Sequence, residues 1–333
     1  MTAASDSPPR IAVLVPCFNE AATVAQVVRD FRQALPEAEI FVFDNDSTDG
    51  TAEIARGAGA EVRREERKGK GNVVRRMFAD IEADLYVMVD GDATYDASAA
   101  PLLVATALAG GYDLVNVARH ATGQGAYRPG HRFGNRLLTG IVGRVFGTRT
   151  SDMLSGYKLF SRRFVKSFPA RSAGFEIETE LMIHALELGI PIAEISAPYG
   201  ERPDDSQSKL RTWRDGFLIL RLIGQLIRRE RPLEFFAAGA LVLALASIGL
   251  ALPVVLEFWR TGLVPRLPTA VLSAALMLSA LLAFAVGLIL EAITHSRREL
   301  KRLAYLGVAR KSEGVWPPQA PPGRSAASPS AED

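Results

Sequence analysis

The sequence predicts an α/β fold built on a mostly parallel sheet, followed by a hairpin of two transmembrane helices near the C-terminus. Short apolar runs alternate with segments of helical periodicity between residues 11 and 117. Three of these runs end in polar turns, and beyond residue 232 the composition changes to two long apolar stretches. Alternation of strands and helices is typical of a parallel sheet with helices on both faces.

The predicted elements of the sheet follow one another at short intervals. Continuous apolar runs predict buried strands at residues 11–15, 40–43, 85–89 and 113–117. Apolar periodicity predicts a helix over 21–35, which Pro36 follows, and another helix begins at Thr51. Right-handed crossovers would bring the ends of the first three strands to one edge of the sheet. The polar turns after these strands should therefore meet there, at residues 16–20, 44–50 and 90–95.

Two carboxylates follow the third of these strands. Asp90 and Asp92 would lie at the carboxyl edge, where open α/β sheets bind ligands. Because no Cys or His cluster lies nearby in the sequence, these oxygen ligands favour Mg²⁺ or Mn²⁺ carrying the phosphates of a substrate. The first strand is not followed by Gly-x-Gly-x-x-Gly, and Gly-x-x-x-x-Gly-Lys-Ser/Thr does not occur. The sequence thus disfavours a dinucleotide enzyme and a P-loop NTPase.

The two apolar stretches predict the transmembrane helices. Residues 233–258 carry charge only near their ends, at Glu234 and Glu257, and residues 269–290 carry none. Each stretch can cross about 30 Å of hydrocarbon as a helix. Positive charge concentrates on the cytoplasmic side of membranes, so the N-terminal region and the C-terminus are both predicted to be cytoplasmic. The basic residues outside the pair are Arg228, Arg229, Arg231, Arg297, Arg298, Lys301 and Arg302, against Arg260 and Arg266 between the helices.

Further sequence features indicate the cellular compartment of the chain and the nature of its polar and terminal segments. Residues 1–10 are polar, so no signal peptide is expected, and the single Cys17 agrees with a reducing compartment. The formal net charge is +2, and no nucleic-acid partner is expected. Apolar residues interspersed with arginines between Trp213 and Ile227 predict an interfacial helix. From Ser312 onward the chain is rich in Pro, Ser and Ala, which predicts a disordered tail.

Seven motifs occur in order between residues 15 and 210. They are Val15-Pro-Cys-Phe-Asn-Glu20, Phe43-Asp-Asn-Asp-Ser-Thr-Asp-Gly-Thr51, Lys68-Gly-Lys-Gly-Asn72, Asp90-Gly-Asp92, Ser155-Gly-Tyr-Lys158, Gly174-Phe-Glu-Ile-Glu-Thr-Glu180 and Arg202-Pro-Asp-Asp-Ser-Gln-Ser-Lys-Leu210. Together they resemble the family 2 glycosyltransferases, in the branch that includes dolichyl-phosphate mannose synthase and bacterial polyprenyl-phosphate sugar synthases. The resemblance implies a Rossmann-like GT-A catalytic domain. The expected divisions of the chain are a flexible N-terminus, the GT-A domain, the interfacial helix, the two transmembrane helices and a basic, then disordered tail, at residues 1–10, 11–210, 211–231, 232–293 and 294–333.

The resemblance implies a site for a UDP- or GDP-sugar donor. The turns after the first two strands would surround the base and ribose. Lys68 and Lys70, set among glycines, would contact the diphosphate, and Asp90 and Asp92 would hold Mg²⁺ or Mn²⁺. Many family members have Asp where this chain has Asn45, which leaves the base open. The implied donor-binding residues are Pro16, Phe18, Asn19, Glu20, Asp44, Asn45, Asp46, Lys68, Lys70, Gly71, Asp90 and Gly91.

The resemblance also implies a polyprenyl monophosphate acceptor. Its second pKa lies near 6, so the phosphate is largely dianionic at pH 7 and needs no general base. Glu180 best matches an acidic family position and joins Asp90 and Asp92 as a catalytic candidate that would orient acceptor or cations; a solvated acidic face is the alternative. The implied acceptor residues are Arg128, Arg132, Asn135, Arg202, Ser206, Ser208 and Lys209, for which general binding to anionic headgroups is the alternative.

The predicted activity is inverting sugar transfer to polyprenyl phosphate by a multi-pass protein of the cytoplasmic membrane, giving a lipid-linked sugar for cell-envelope glycans or glycoconjugates. Two other readings stay open. A membrane-bound glycosyltransferase could extend a polysaccharide or glycolipid, although processive synthases normally add Gln-x-x-Arg-Trp and further spans, which this sequence lacks. A non-enzymatic sugar-nucleotide sensor is the other reading, and the pair Asp90 and Asp92 argues against it. Membrane lipids are expected partners, and homo-oligomerisation is left open.

Overall fold

A computed structural model of the chain describes residues 8–121, 139–140, 143, 151–174, 176–200, 228 and 231–309. The chain divides into two compact units, each described by itself below. Among the described residues, the first unit contains 8–121, 151–174, 176–200 and 305–309, and the second contains 139–140, 143, 228 and 231–304.

A seven-stranded sheet forms the centre of the first unit. Its strands are β1 (Ile11–Cys17), β2 (Glu39–Asp44), β3 (Glu61–Arg64), β4 (Leu85–Met88), β5 (Leu114–Ala121), β6 (Lys158–Ser161) and β7 (Ile192–Tyr199). They lie in the order β3-β2-β1-β4-β6-β5-β7. Strand β6 is antiparallel to β4 and β5, and the other neighbouring pairs are parallel. The predicted mostly parallel α/β sheet is confirmed.

Three of these strands have no counterpart in the sequence prediction. Strands β3 and β7 lie at the two ends of the sheet, and most of their residues are half-buried or exposed. They therefore lack the continuous apolar run that reveals a central strand. Strand β6 is only four residues long and begins with a lysine, Lys158. Its position depends on antiparallel pairing with β4 and β5, which are distant in the sequence.

Helices cover the sheet. In the first unit they are α1 (Val24–Ala34), α2 (Thr51–Gly57), α3 (Lys70–Asp80), α4 (Ala100–Gly110), α5 (Arg162–Ser167) and α6 (Ile177–Leu188). Helix α1 buries Val24, Val27, Val28 and Phe31, the residues whose spacing predicts it. The core lies between these helices and the central strands β1, β2 and β4, which are buried along nearly their whole length. Strands buried on both faces read as continuous apolar runs, which is why the sequence predicts these three.

The second unit contains two long helices, α7 (Pro232–Thr261) and α8 (Leu267–Gly307), although the last residues of α8 belong to the first unit. Both are long and apolar enough to cross a membrane. They run antiparallel: Ser247 Oγ donates to Ser273 O at 2.7 Å, and Leu233 N–H donates to Glu291 Oε2 at 3.3 Å.

The contact between α7 and α8 is made by small residues at intervals of seven. After Pro232 at the start of α7, the buried positions are Ala240, Ser247 and Val254 in α7, and Ser273, Ala280, Gly287 and Thr294 in α8. A seven-residue interval keeps one stripe of each helix facing its partner. Small residues in that stripe let the two backbones approach closely, as in membrane helix pairs. The large side chains point outward, and Leu241, Leu245, Leu281 and Leu282 are 59–61% exposed.

Residues 305–309 lie in the first unit. Tyr305 Oη donates to Asp113 Oδ2 at 2.7 Å, just before β5. Arg163 Nε donates to Val308 O at 2.9 Å, and the Arg163 guanidinium lies 4.7 Å from the centre of the Tyr305 ring. Within the first unit, residues 305–309 are therefore held against the start of β5 and against α5.

We expect Gly287→Leu to separate the two apolar helices. A Cβ at Gly287 would lie 3.0 Å from the Phe236 Cβ, so a larger side chain requires the helices to move. Overpacking of this kind costs about 1–3 kcal/mol, and it should lower the melting temperature of the protein in detergent micelles. Gly249→Leu is the matched control, because a Cβ there meets nothing within 4 Å. Equal effects of the two substitutions would contradict this packing.

Candidate active site

The carboxyl ends of three central strands lie side by side. Strand β1 is parallel to both β2 and β4, with Cys17 paired to Asp44 and Leu14 paired to Met88. The backbone N–H of Asn45 donates to Cys17 O at 2.8 Å. The polar turns that follow these strands therefore start from neighbouring positions at one edge of the sheet, as the sequence predicts.

The first two turns are locked to each other. Asn19 donates its backbone N–H to Ser47 Oγ at 2.9 Å and accepts from the Thr48 N–H at 3.0 Å. Asp49 Oδ2 accepts from the Ala21 N–H at 3.0 Å. Asn19 has a left-handed backbone, with φ of 54°. Asn19 therefore connects the turn after β1 to the turn after β2. Ser47 and Asp49 are hydrogen-bond partners across these turns that sequence reasoning did not identify.

Asp44 is a buried carboxylate with spare capacity to accept hydrogen bonds. Its side chain ends β2 and is 4% exposed. Oδ2 accepts from the Ser47 N–H at 3.2 Å, whereas Oδ1 is buried and accepts no hydrogen bond from the described residues. A buried acceptor without a donor is costly, so this oxygen suits a ligand that supplies an N–H or O–H.

Asn45 holds the loop that carries the two lysines. Its amide nitrogen donates to Glu65 O at 2.9 Å and to Arg67 O at 2.8 Å, and its oxygen accepts from the Gly69 N–H at 2.7 Å. Only an amide can donate twice and accept at once in this way. The choice of Asn over Asp at this position is therefore explained by the loop between β3 and α3.

Two glycines press the same loop against residues 172–173. A Cβ at Gly69 would lie 2.3 Å from Ala173 O, and one at Gly71 would lie 2.0 Å from Ser172 O. The Gly71 N–H donates to Ala173 O at 2.9 Å. The predicted donor residue Gly71 thus allows a close backbone approach that any side chain would prevent.

Glu180 fastens the opposite side of this contact. Its carboxylate accepts from the Ser172 N–H at 2.8 Å and from the Arg171 N–H at 3.2 Å. Burial works against the charge of Glu180, but the hydrogen bonds from Ser172 and Arg171 lower its pKa below the usual value. The structure therefore places this predicted catalytic residue where it supports the lysine loop.

Lys70 lies between two carboxylates, and one of them is Glu178, which sequence reasoning missed. The Lys70 ammonium donates to Asp90 Oδ1 at 2.5 Å and to Glu178 Oε1. Burial disfavours the ammonium, but the carboxylates outweigh it and raise the pKa of Lys70 above its ordinary value. Burial also raises the pKa of Asp90, and Lys70 opposes that rise. Glu178 lies in the first turn of α6, and the start of this helix decides which glutamate of the motif faces the site.

Asp92 is buried and held by its own turn. Its Oδ1 accepts from the Thr94 hydroxyl at 2.6 Å and from the Thr94 N–H at 3.2 Å. Gly91 lies between the two carboxylates, and a Cβ there would lie 2.5 Å from the Cys17 sulfur. The Thr23 hydroxyl donates to Gly91 O at 2.6 Å. The turn is therefore fixed against both β1 and α1.

The donor atoms at this edge fit a hard divalent cation. Asp90 and Asp92 supply carboxylate oxygens, and Mg²⁺ and Mn²⁺ prefer oxygen ligands and commonly share one or two carboxylates with substrate phosphates. Within the described residues, no group of three or more His, Cys, Asp or Glu side chains is placed to hold a metal. A cation here would thus need ligands beyond these two carboxylates, such as diphosphate oxygens and water.

The other predicted donor residues lie around the same turns. Pro16 is in β1 opposite Phe43 of β2, and Glu20 donates its N–H to Thr51 Oγ1 at 2.9 Å. Lys68 lies 5.5 Å from the centre of the Phe18 ring, and Asp46 forms an ion pair with Arg64. The predicted acceptor residues lie outside the described part of the chain: Arg128, Arg132, Asn135, Arg202, Ser206, Ser208 and Lys209.

A second buried charge network stands beside β5 and β6. Arg119 makes a forked contact with Asp152, at 2.6 Å and 2.8 Å. Lys158, from the Ser155–Lys158 motif, is fully buried and donates to Ser155 O at 2.6 Å and to Asn116 Oδ1 at 2.8 Å. Burial lowers the pKa of Lys158 to about 8. Its contacts hold the segment before β6, where Gly156 packs against the Asp90 carboxylate.

This mixed sheet, with acidic and basic groups at the carboxyl edge of its strands, is similar to the GT-A fold, and comparisons with known proteins agree. The model for "Glycosyl transferase family 2" matches residues 12–168. Glycosyltransferase AglJ of Haloferax volcanii is 34% identical over 307 residues, covering 90% of this chain and 99% of that protein. The chain therefore belongs to glycosyl transferase family 2.

Two further similarities are informative. Dolichyl-phosphate hexose transferase of Haloferax volcanii is 27% identical over 223 residues, which are 66% of this chain and 95% of that protein. The structure of Mycobacterium tuberculosis glucosyl-3-phosphoglycerate synthase in complex with Mn²⁺, uridine diphosphate and glucosyl-3-phosphoglycerate aligns with a TM-score of 0.53 and 25% identity. The alignment covers 66% of this chain and 79% of that one. The predicted family and fold are confirmed.

We expect Asn45→Asp to weaken nucleotide binding by about five- to a hundredfold. A carboxylate cannot donate to Glu65 O and Arg67 O, and leaving buried groups unsatisfied costs about 1–3 kcal/mol. The dissociation constant for uridine and guanosine diphosphates can be measured by calorimetry. Asn72→Asp adds the same charge beside this loop, in the first turn of α3, but breaks only one donation, to Lys68 O, and should have a smaller effect. Equal losses would mean that charge, and not loop geometry, is responsible.

Proposed function

We propose that this protein transfers a sugar from a nucleoside diphosphate sugar to a polyprenyl monophosphate at the cytoplasmic face of the membrane, with inversion at C1. The observation that carries the proposal is the convergence of Asp44, Lys70, Asp90 and Asp92 at one edge of the sheet. This set combines a buried acceptor for a base or ribose, a cation for a diphosphate and carboxylates for a metal. The family membership supports the same reading.

The donor would bind across the ends of β1, β2 and β4. Asp44 Oδ1 would accept from a ring N–H or a ribose hydroxyl, since it has capacity to do so. Lys68 and Lys70 would face the diphosphate, where ammonium groups form strong charge-assisted hydrogen bonds. Phe18, which lies close to Lys68, would contact the nucleotide on the same side. The proposed donor is either a UDP-sugar or a GDP-sugar.

Asp90 and Asp92 would hold Mg²⁺ or Mn²⁺. Such an ion, when bound, neutralises charge on the diphosphate and so makes it a better leaving group. The related synthase named above was crystallised with Mn²⁺ and uridine diphosphate, which supports a divalent cation in this family. The hydrogen bonds from Thr94 would keep the Asp92 carboxylate oriented.

The acceptor phosphate would attack C1 directly. Because it is largely dianionic at neutral pH, this chain need only bind and orient it. We assign that task to Arg128, Arg132, Asn135, Arg202, Ser206, Ser208 and Lys209. Glu180 would act as a positioning residue through its contact with residues 171–172. The name of the related dolichyl-phosphate hexose transferase supports a lipid phosphate acceptor.

The membrane arrangement completes the proposal. Helices α7 and α8 would cross the bilayer as a hairpin, with the GT-A domain of residues 11–210 and the C-terminal tail in the cytoplasm. An interfacial helix over 211–231 would hold the domain near the lipid. The exposed leucines of both helices support contact with hydrocarbon.

The product distinguishes this activity from other transfers. Purified protein is given UDP- and GDP-sugars, Mn²⁺ and undecaprenyl or dolichyl phosphate. We expect a lipid-linked sugar monophosphate with inverted configuration at C1, and release of nucleoside diphosphate. Release of nucleoside monophosphate with a lipid diphosphate, or retention at C1, would overturn the mechanism. Transfer only to a polysaccharide or glycolipid would identify the alternative activity instead.

The metal assignment has its own test. Asp92→Asn should lower the turnover number by roughly a hundredfold or more, because metal stabilisation of the leaving group is worth several kcal/mol. EDTA should have the same effect on the wild-type protein. Asp30→Asn is the matched control, since Asp30 is exposed on α1 and carries the same charge change. Full turnover by Asp92→Asn in the presence of chelator would refute the metal role.

A further inference from the structure

The lysine between Asp90 and Glu178 occupies the place that a metal would need. The Lys70 side chain is 8% exposed, and that of Glu178 is 10% exposed. The Lys70 ammonium lies 2.5 Å from Asp90 Oδ1. The other oxygen, Oδ2, is packed against Gly156, where a Cβ would lie only 2.2 Å away. Oδ1 of this carboxylate is therefore already taken by a positive charge.

A divalent cation and this ammonium compete for one carboxylate. Two positive charges within contact distance of the same oxygen repel each other strongly, and burial reduces the screening by water. Without either cation, the half-buried Asp90 and the buried Asp92 and Glu178 would leave their negative charges unbalanced, which is equally unfavourable. One positive partner is thus required at all times, and simultaneous direct binding of both to Asp90 Oδ1 is disfavoured.

The backbone of Lys70 is fixed, but its ammonium is not. Gly69 and Gly71 hold the loop against residues 172–173, so the Cα has little freedom. The lysine side chain is a flexible four-carbon stem with a point charge at its end. The ammonium can therefore leave Asp90 for an anion on the same side of the loop without any change of fold.

We propose that Lys70 is a built-in counter-cation, which neutralises Asp90 and Glu178 when no donor is bound and moves to the donor diphosphate when a divalent cation takes Asp90. This inference rests on the proposed function, because it assumes a diphosphate donor and a metal at this site. Glu178 is then the positioning residue that holds the ammonium beside the metal site. Metal and nucleotide should bind together, since each relieves the repulsion that the other would meet.

Mn²⁺ binding to the full-length protein in detergent tests this exchange without measuring turnover. Free Mn²⁺ is followed by electron paramagnetic resonance, alone and with uridine or guanosine diphosphate. Wild-type protein should bind Mn²⁺ at least about tenfold more tightly with nucleotide present, a coupling typical of linked sites. Lys70→Met should bind Mn²⁺ alone at least about tenfold more tightly than wild type, and its coupling to nucleotide should shrink.

Two further variants separate direct exchange from a general change of charge. Arg67→Met removes the same charge from the same loop at an exposed side chain, so it should leave the affinity for Mn²⁺ alone close to that of wild type. Glu178→Gln removes negative charge and should weaken binding of Mn²⁺ alone. Equal tightening by Arg67→Met and Lys70→Met would overturn the exchange, and so would independent binding of Mn²⁺ and nucleotide to wild type.

Failure of the inference and failure of the proposed function give different results. If Mn²⁺ and nucleotide bind to wild type but Lys70→Met changes neither affinity nor coupling, the exchange is wrong while the metal site stands. If neither the wild type nor any variant binds Mn²⁺, even with nucleotide present, the assignment of Asp90 and Asp92 as metal ligands is wrong. The proposed exchange is then wrong as well. If Lys70→Met does not fold, Lys70→Gln removes the same charge, and the same results are expected of it.

Discussion

Parallel pairing of β1 with both β2 and β4 is the constraint on which the site depends. It places Cys17 beside Asp44 and brings the turn that follows β4 to the same edge. These strands are buried on both faces, so their register is fixed by the core and not by the polar turns. The turns can then differ in chemistry without moving the strands that carry them.

The buried charged side chains of the first unit contact groups of opposite charge or neutral hydrogen-bond acceptors. Lys70 forms ion pairs with Asp90 and Glu178, and Arg119 forms one with Asp152. Lys158 donates to the backbone oxygen of Ser155. Unpaired charges at such positions would be strongly unfavourable. The glycines at the site allow the backbone approaches on which these pairs depend. The same arrangement places positive and negative groups side by side at the carboxyl edge of the sheet.

The second unit depends on a different rule. Helices α7 and α8 meet through small residues seven positions apart, so close backbone packing replaces the large apolar contacts of a soluble core. Their large side chains remain outside, where lipid can cover them. Hydropathy predicts that these segments are transmembrane. The spacing of seven residues between buried positions explains which face of α7 packs against which face of α8.

The sequence by itself determined the central strands, the apolar helices and the pair Asp90 and Asp92, because continuous burial and a carboxylate turn leave local patterns. It also led to the family through seven ordered motifs. Only the tertiary structure decided that Glu178 and not Glu180 meets Lys70, because that depends on where α6 begins. The role of Asn45 and the antiparallel place of β6 were likewise decided by partners far along the chain. Local patterns record burial, whereas these contacts depend on how distant segments are brought together.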